Sequence, residues 1–137
     1  MYLVGFPLLV ITFAIYNMIA FLTPGLNWTD HVATIHLMSG QDWTVTPEDI
    51  LLAFAIVLLG IEVIKATRMG IRGLLDHVLS MILFIVMLVE FLLVPQAGTS
   101  TFFLLMVTAL VDVIAGFTVT VRSAQRDLAV ERVEQAS

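Results

Sequence analysis

Long apolar stretches separated by short polar breaks dominate the chain: residues 3–23, 49–69, 74–94 and 101–121. Each has about the 20 mainly apolar residues that a helix needs to cross a hydrocarbon core of about 30 Å. The pattern predicts an all-α integral membrane protein, a bundle of four transmembrane helices forming a single membrane domain over 1–137. The breaks carry helix-ending and helix-starting chemistry. Pro24-Gly25 closes the first stretch and Pro95 the third, because neither continues a helix. Gly70 and Gly73 flank a tight second connection. Thr46-Pro47-Glu48-Asp49 offers a capping hydroxyl, a proline at the first helical position and acids in the first turn. Thr99-Ser100-Thr101 offers hydroxyl caps after the Gln96-Ala97-Gly98 turn.

The one sizeable loop, residues 24–48, alternates polar and apolar positions at Ala33–Leu37 and Trp43–Thr46, with Ser39-Gly40-Gln41-Asp42 between. Period-two alternation around a glycine-containing turn predicts a short β-hairpin on the mouth of the bundle. The competing reading is an interfacial amphipathic turn with Trp28, Val32 and Ile35 on one side. Trp28 and Trp43 suit the lipid headgroup zone on either reading. His31 and His36, near Asp30 and Asp42, match no standard zinc spacing and read as ordinary surface residues, so no metal is expected. The tail 122–137 mixes charge signs and is expected to extend the fourth helix a few turns before fraying.

Composition narrows the function classes. Of 137 residues, 60% are hydrophobic and 12% charged, against about 25% charged in soluble domains. A net charge of −5 with only 6 Lys+Arg argues against nucleic acid as a partner. There are no cysteines, which excludes disulfides, thiolate metal sites and thiol redox chemistry. His77 is the one histidine inside an apolar stretch, one too few for a haem held between two histidines, and no cofactor is expected.

Charge also orients the chain. Lys65, Arg68 and Arg72 lie at the second connection, and Arg122, Arg126 and Arg132 follow the fourth stretch. The first loop carries Asp30, Asp42, Glu48 and Asp49 instead. The positive-inside rule puts both termini in the cytoplasm and loop 24–48 outside, in a plasma membrane of bacterial inner-membrane style. The first stretch lacks a basic start and a small-residue cleavage site, so it reads as a retained helix.

Polar residues inside the apolar stretches are the candidate site, because an ionisable group at the bilayer centre costs about 2.5–3.5 kcal/mol and must face protein or water. Asp112 lies near the middle of 101–121. Thr108, Ala109, Ala115 and Gly116 share its arc, a small-residue strip that lets helices approach closely. In the third stretch Asp76, Ser80, Leu83, Met87 and Glu90 recur at alternating spacings of four and three, keeping one face, with His77 adjoining. Glu62 and Lys65 lie one turn apart in the second, and Asn17 is the polar residue of the first. By depth, Glu62, Lys65, Asp76 and His77 belong to the cytoplasmic half with Asp112 just beyond. Asn17 and Glu90 belong to the outer half, and one connected polar core is geometrically possible.

Two functions follow. The first is a non-enzymatic homo-oligomer or accessory subunit of another membrane protein, acting through helix–helix packing of the strip around Asp112. The alternative is a small proton- or cation-coupled transporter or channel, with Asp112 and Glu62 titrating and Lys65 or His77 modulating them. An enzyme is not expected, since no nucleophile–base or metal constellation is spelled out.

Overall fold

A computed structural model describes residues 7–68 and 72–136. In chain order these form helix α1 (Leu9–Leu22), strands β1 (Ala33–His36) and β2 (Asp42–Val45), and helix α2 (Pro47–Arg68). Helix α3 (Arg72–Leu93), a 3-10 turn at Pro95–Ala97 and helix α4 (Ser100–Ala136) complete the chain. Three segments are long and apolar enough to cross a membrane: Pro47–Thr67, Leu74–Leu93 and Ser100–Val119. Their outward positions, such as Ile56, Val57, Ile85 and Ile114, are exposed and apolar. Such a surface suits lipid rather than water, and this is the build of a helical membrane protein.

The first helix is shorter than the expected 3–23. Its 14 described residues span about 21 Å at 1.5 Å per residue. Residues 3–6 lie outside the described residues. Pro7 and Leu8 enter through tight bonds from Val10 N–H to Pro7 O (3.2 Å) and from Ile11 N–H to Leu8 O (3.0 Å). At the other end Thr23 turns both its amide and its hydroxyl onto Ile19 O, at 3.0 and 2.7 Å, and Pro24 cannot follow.

Helix α2 begins two residues before the expected 49, because Thr46 and Asp49 form a reciprocal capping box. Thr46 Oγ1 accepts the Asp49 amide at 3.2 Å while Asp49 Oδ2 accepts the Thr46 amide at 3.1 Å, with Pro47 at the first helical position. Helix α4 is capped by Thr99, whose Oγ1 accepts the Phe102 amide at 3.1 Å. Gly73 falls inside the first turn of α3 rather than in the connection, and Gly70 lies outside the described residues. The tail does not fray within 122–136: α4 continues unbroken for 37 residues, about 55 Å. From Phe117 onward it holds neither glycine nor proline and is rich in good helix formers.

The loop is a hairpin and not an amphipathic turn. Ala33 faces Val45, Ile35 faces Trp43 and His36 faces Asp42. The turn closes with Gly40 N–H to Leu37 O at 3.0 Å, and Gly40 adopts φ +93°, a conformation that favours glycine. Neither strand is buried against the bundle. Trp28 makes that contact instead. Its ring stacks on Tyr16 with centroids 4.8 Å apart, and its carbonyl accepts the Glu48 amide at 3.1 Å. Trp43 remains exposed.

Helix α4 is central, lying against α2 and α3, while α1 packs mainly on α2. The shared core holds Leu51, Ala55 and Leu58 of α2, Leu83 and Met87 of α3, and Phe102, Leu105, Met106 and Ala109 of α4. Tyr16 of α1 is wholly enclosed.

Candidate functional site

Polar side chains converge at the end of the bundle where α2 finishes and α3 begins. The buried face of α2 runs Leu51, Ala55, Leu58, Glu62 at helical spacing, so the pattern that packs the core also carries Glu62 inward. Lys65, one turn on, reaches back to Glu62 Oε1 at 3.2 Å and across to Asp76 Oδ2 at 3.7 Å. Asp76 and Ser80 lie on the α3 face that continues into Leu83 and Met87, and the whole run is buried. Asp112 enters from α4 and lines the same cavity as Ser80. A fourth element joins through its backbone: Leu8 N–H, at the start of α1, donates to Glu62 Oε1. That amide has no intrahelical partner, as at every helix N-terminus, and the carboxylate supplies one.

Glu62, Asp76, His77, Ser80 and Asp112 are each at least nine-tenths buried. With Ala66 and Gly116 they line a cavity in which a water-sized sphere can move its centre over about 10 Å³, enough for about one water. Asp76 Oδ1 and His77 Nδ1 are buried with no hydrogen-bond partner among the described residues. Gly116 makes the close approach possible: a Cβ built there would stand 3.6 Å from His77 Nδ1. The His77 ring lies 5.6 Å from that of Phe117 on its other side.

Asp112 is closer to this end than its place in the sequence implied. It precedes Val119, the end of the spanning segment, by seven residues, about 10 Å. Asn17 and Glu90 do not reach the cluster. They meet each other in the half of the bundle nearer the hairpin, Asn17 Nδ2 donating to Glu90 Oε2 at 3.3 Å. Beside them Tyr16 Oη donates to Gln96 O at 2.8 Å and lies 2.7 Å from Thr99 Oγ1. From Ser80 to Glu90 along α3 is about 15 Å, filled by Leu58, Leu83, Met87 and Leu105. The single connected core thus becomes two polar levels separated by an apolar layer.

The small-residue strip is used in part inside the chain. Ala109 is buried in the core, Gly116 admits His77, and Ala115 is half-buried. Thr108, also half-buried, turns its hydroxyl onto Leu104 O at 2.8 Å. In the hairpin His36 pairs with Asp42 across the strands and His31 with Thr34. Among the described residues no three His, Cys, Asp or Glu side chains are grouped to hold a metal ion.

Sequence reasoning did not single out Tyr16, although Leu9, Thr12 and Tyr16 mark the buried face of α1 at helical spacing. The Leu8 amide carries no sequence signal at all, since any residue presents one. Compared with known protein families, curated proteins and solved structures, the chain matches none, so the chemistry of the site rests on its own residues.

Proposed function

We propose that this is a four-span membrane protein with both termini in the cytoplasm, and that its inner acid cluster exchanges protons as the working site of a proton-coupled transporter. The observation that carries the reading is the grouping of acids in one buried space. Glu62, Asp76 and Asp112 line one cavity, and among the described side chains the cation beside it is the Lys65 ammonium. Buried charge needs a partner, so the remainder is balanced by protons or by a cationic ligand. The positive-inside pattern of the six Lys+Arg assigns the cluster to the cytoplasmic half of a bacterial-style inner membrane. The apolar layer of Leu58, Leu83, Met87 and Leu105 favours a carrier that opens to one side at a time over a standing channel.

The competing reading is a homo-oligomeric or accessory subunit that works through helix packing. It draws on the strip of Thr108, Ala109, Ala115 and Gly116, of which Ala109 and Gly116 pack within the chain, and it gives the unpartnered Asp76 and His77 atoms no task. The test is proton flux into liposomes under an imposed gradient. Wild type is expected to conduct above empty vesicles, with Asp112→Asn and Glu62→Gln abolishing flux while remaining folded. Wild-type vesicles no leakier than empty ones overturn the proposal.

A further inference from the structure

A second cavity adjoins the acid cluster from the lipid side. Between α3 and α4 an apolar cleft of about 430 Å³ is bounded by Leu74, His77, Met81, Ile114, Phe117 and Val121, within the size range of small-molecule sites. It opens outward: Leu74, Ile114 and Phe117 are all more than half exposed. His77 lines both spaces. One imidazole therefore stands between an outward-facing apolar cleft and a small space lined by carboxyl groups. Its Nδ1, buried and without a partner among the described residues, lies on the Gly116 side, and its ring leans on Phe117.

Resting on the proton-coupled reading of the same site, we propose that its cargo is a lipophilic organic cation, a bulky alkyl- or aryl-substituted ammonium or phosphonium. It enters sideways from the bilayer, seats its apolar groups in the cleft and directs its charge past His77 to Asp76 and Asp112. Charge complementarity selects this occupant. Among the described side chains three carboxyl groups face one ammonium, a balance that attracts a cation and repels an anion. A strongly hydrated inorganic cation has no route through hydrocarbon to the cleft. A cation whose charge is shielded by apolar groups partitions there readily and meets the Phe117 ring, whose face favours positive charge. A neutral lipid chain fills the cleft equally well but makes no use of the acids.

The experiment measures equilibrium binding of tetraphenylphosphonium to the full chain in nanodiscs. Wild type is expected to bind saturably. Asp112→Asn should weaken binding at least tenfold. Met81→Trp should do the same by filling the cleft from a position that faces lipid and touches no acid, while keeping the wild-type unfolding transition. Uptake no greater than that of empty nanodiscs overturns the inference, as does full binding by Met81→Trp. Equal competition by neutral tetraphenylsilane also overturns it, since the cleft is then a general lipid site. The two readings fail separately. Asp112-dependent proton flux without phosphonium binding removes the cargo and leaves the proton site. Asp112-dependent phosphonium binding without flux supports the cargo site and removes the coupling.

Discussion

Lys65 offers the sharpest energetic test of the cluster. Lys65→Met keeps an unbranched side chain and deletes the ammonium that bridges Glu62 and Asp76. The bridge belongs with buried ion pairs, because the side chains of Lys65, Glu62 and Asp76 are 15%, 2% and 7% exposed. Removing one partner of a buried pair costs about 3–5 kcal/mol, since it strands the other charge. The Asp76 contact is the longer, at 3.7 Å against 3.2 Å, so the loss falls mainly on Glu62. The partial exposure of Lys65 places the total at the low end, about 3 kcal/mol, roughly a hundredfold in the folding equilibrium. An internal contrast is the exposed His36–Asp42 pair, at 74% and 64% side-chain exposure. Asp42→Asn there should cost under about 1 kcal/mol. The assay is reversible unfolding in mixed micelles, titrated with a denaturing detergent. The double variant Lys65→Met/Glu62→Gln should recover at least half the loss, because neither charge is then stranded. A loss below about 1 kcal/mol for Lys65→Met, or strict additivity in the double variant, refutes the reasoning.

Other positions give independent checks. Tyr16→Phe removes a buried hydroxyl from Gln96 O and Thr99 Oγ1 and should cost about 1–2 kcal/mol, read by the fluorescence of Trp28 stacked on the same ring. Met87→Ala, at a 2% exposed core position, should destabilise by about 2–5 kcal/mol, whereas Val133→Ala on the exposed tail should change unfolding by less than about 0.5 kcal/mol. Gly40→Ala forces a side chain into φ +93° and should cost about 1–2 kcal/mol, seen as faster hydrogen exchange in the hairpin amides with the helices unchanged. Limited proteolysis should trim the exposed end of α4 beyond residue 122 while the bundle keeps its thermal transition.

The three long helices were legible because they follow from local rules, although their ends shifted by a few residues and the tail of α4 ran on. Runs of apolar residues set α2, α3 and α4, and the Thr46–Asp49 box marks the start of α2 to the residue. The hairpin itself followed from alternation and from the glycine in its turn, though not its register. Helical spacing also brought Glu62, Asp76, Ser80 and Asp112 inward, since each continues a buried apolar face. What stayed hidden depends on contacts between distant segments. Trp28 folds back onto Tyr16 through a turn whose docking no local pattern encodes. The sorting of the polar residues into two levels was legible from their depth along each stretch, and Asn17 accordingly meets Glu90; the apolar layer of Leu58, Leu83, Met87 and Leu105 that keeps the levels apart was not. The Leu8 amide on Glu62 is backbone chemistry, which side-chain patterns do not register.

The central claim, that the buried carboxyl groups of the inner cluster do work beyond holding the bundle together, is tested most directly by proton flux in liposomes carrying three forms at equal density. These are wild type, Asp112→Asn and Tyr16→Phe, the last removing a buried polar contact on the hairpin side of the apolar layer. The account predicts flux for wild type and for Tyr16→Phe, and none for Asp112→Asn once unfolding curves show it folded. Equal flux from all three, or none above empty vesicles, contradicts it and returns the acids to a purely structural role.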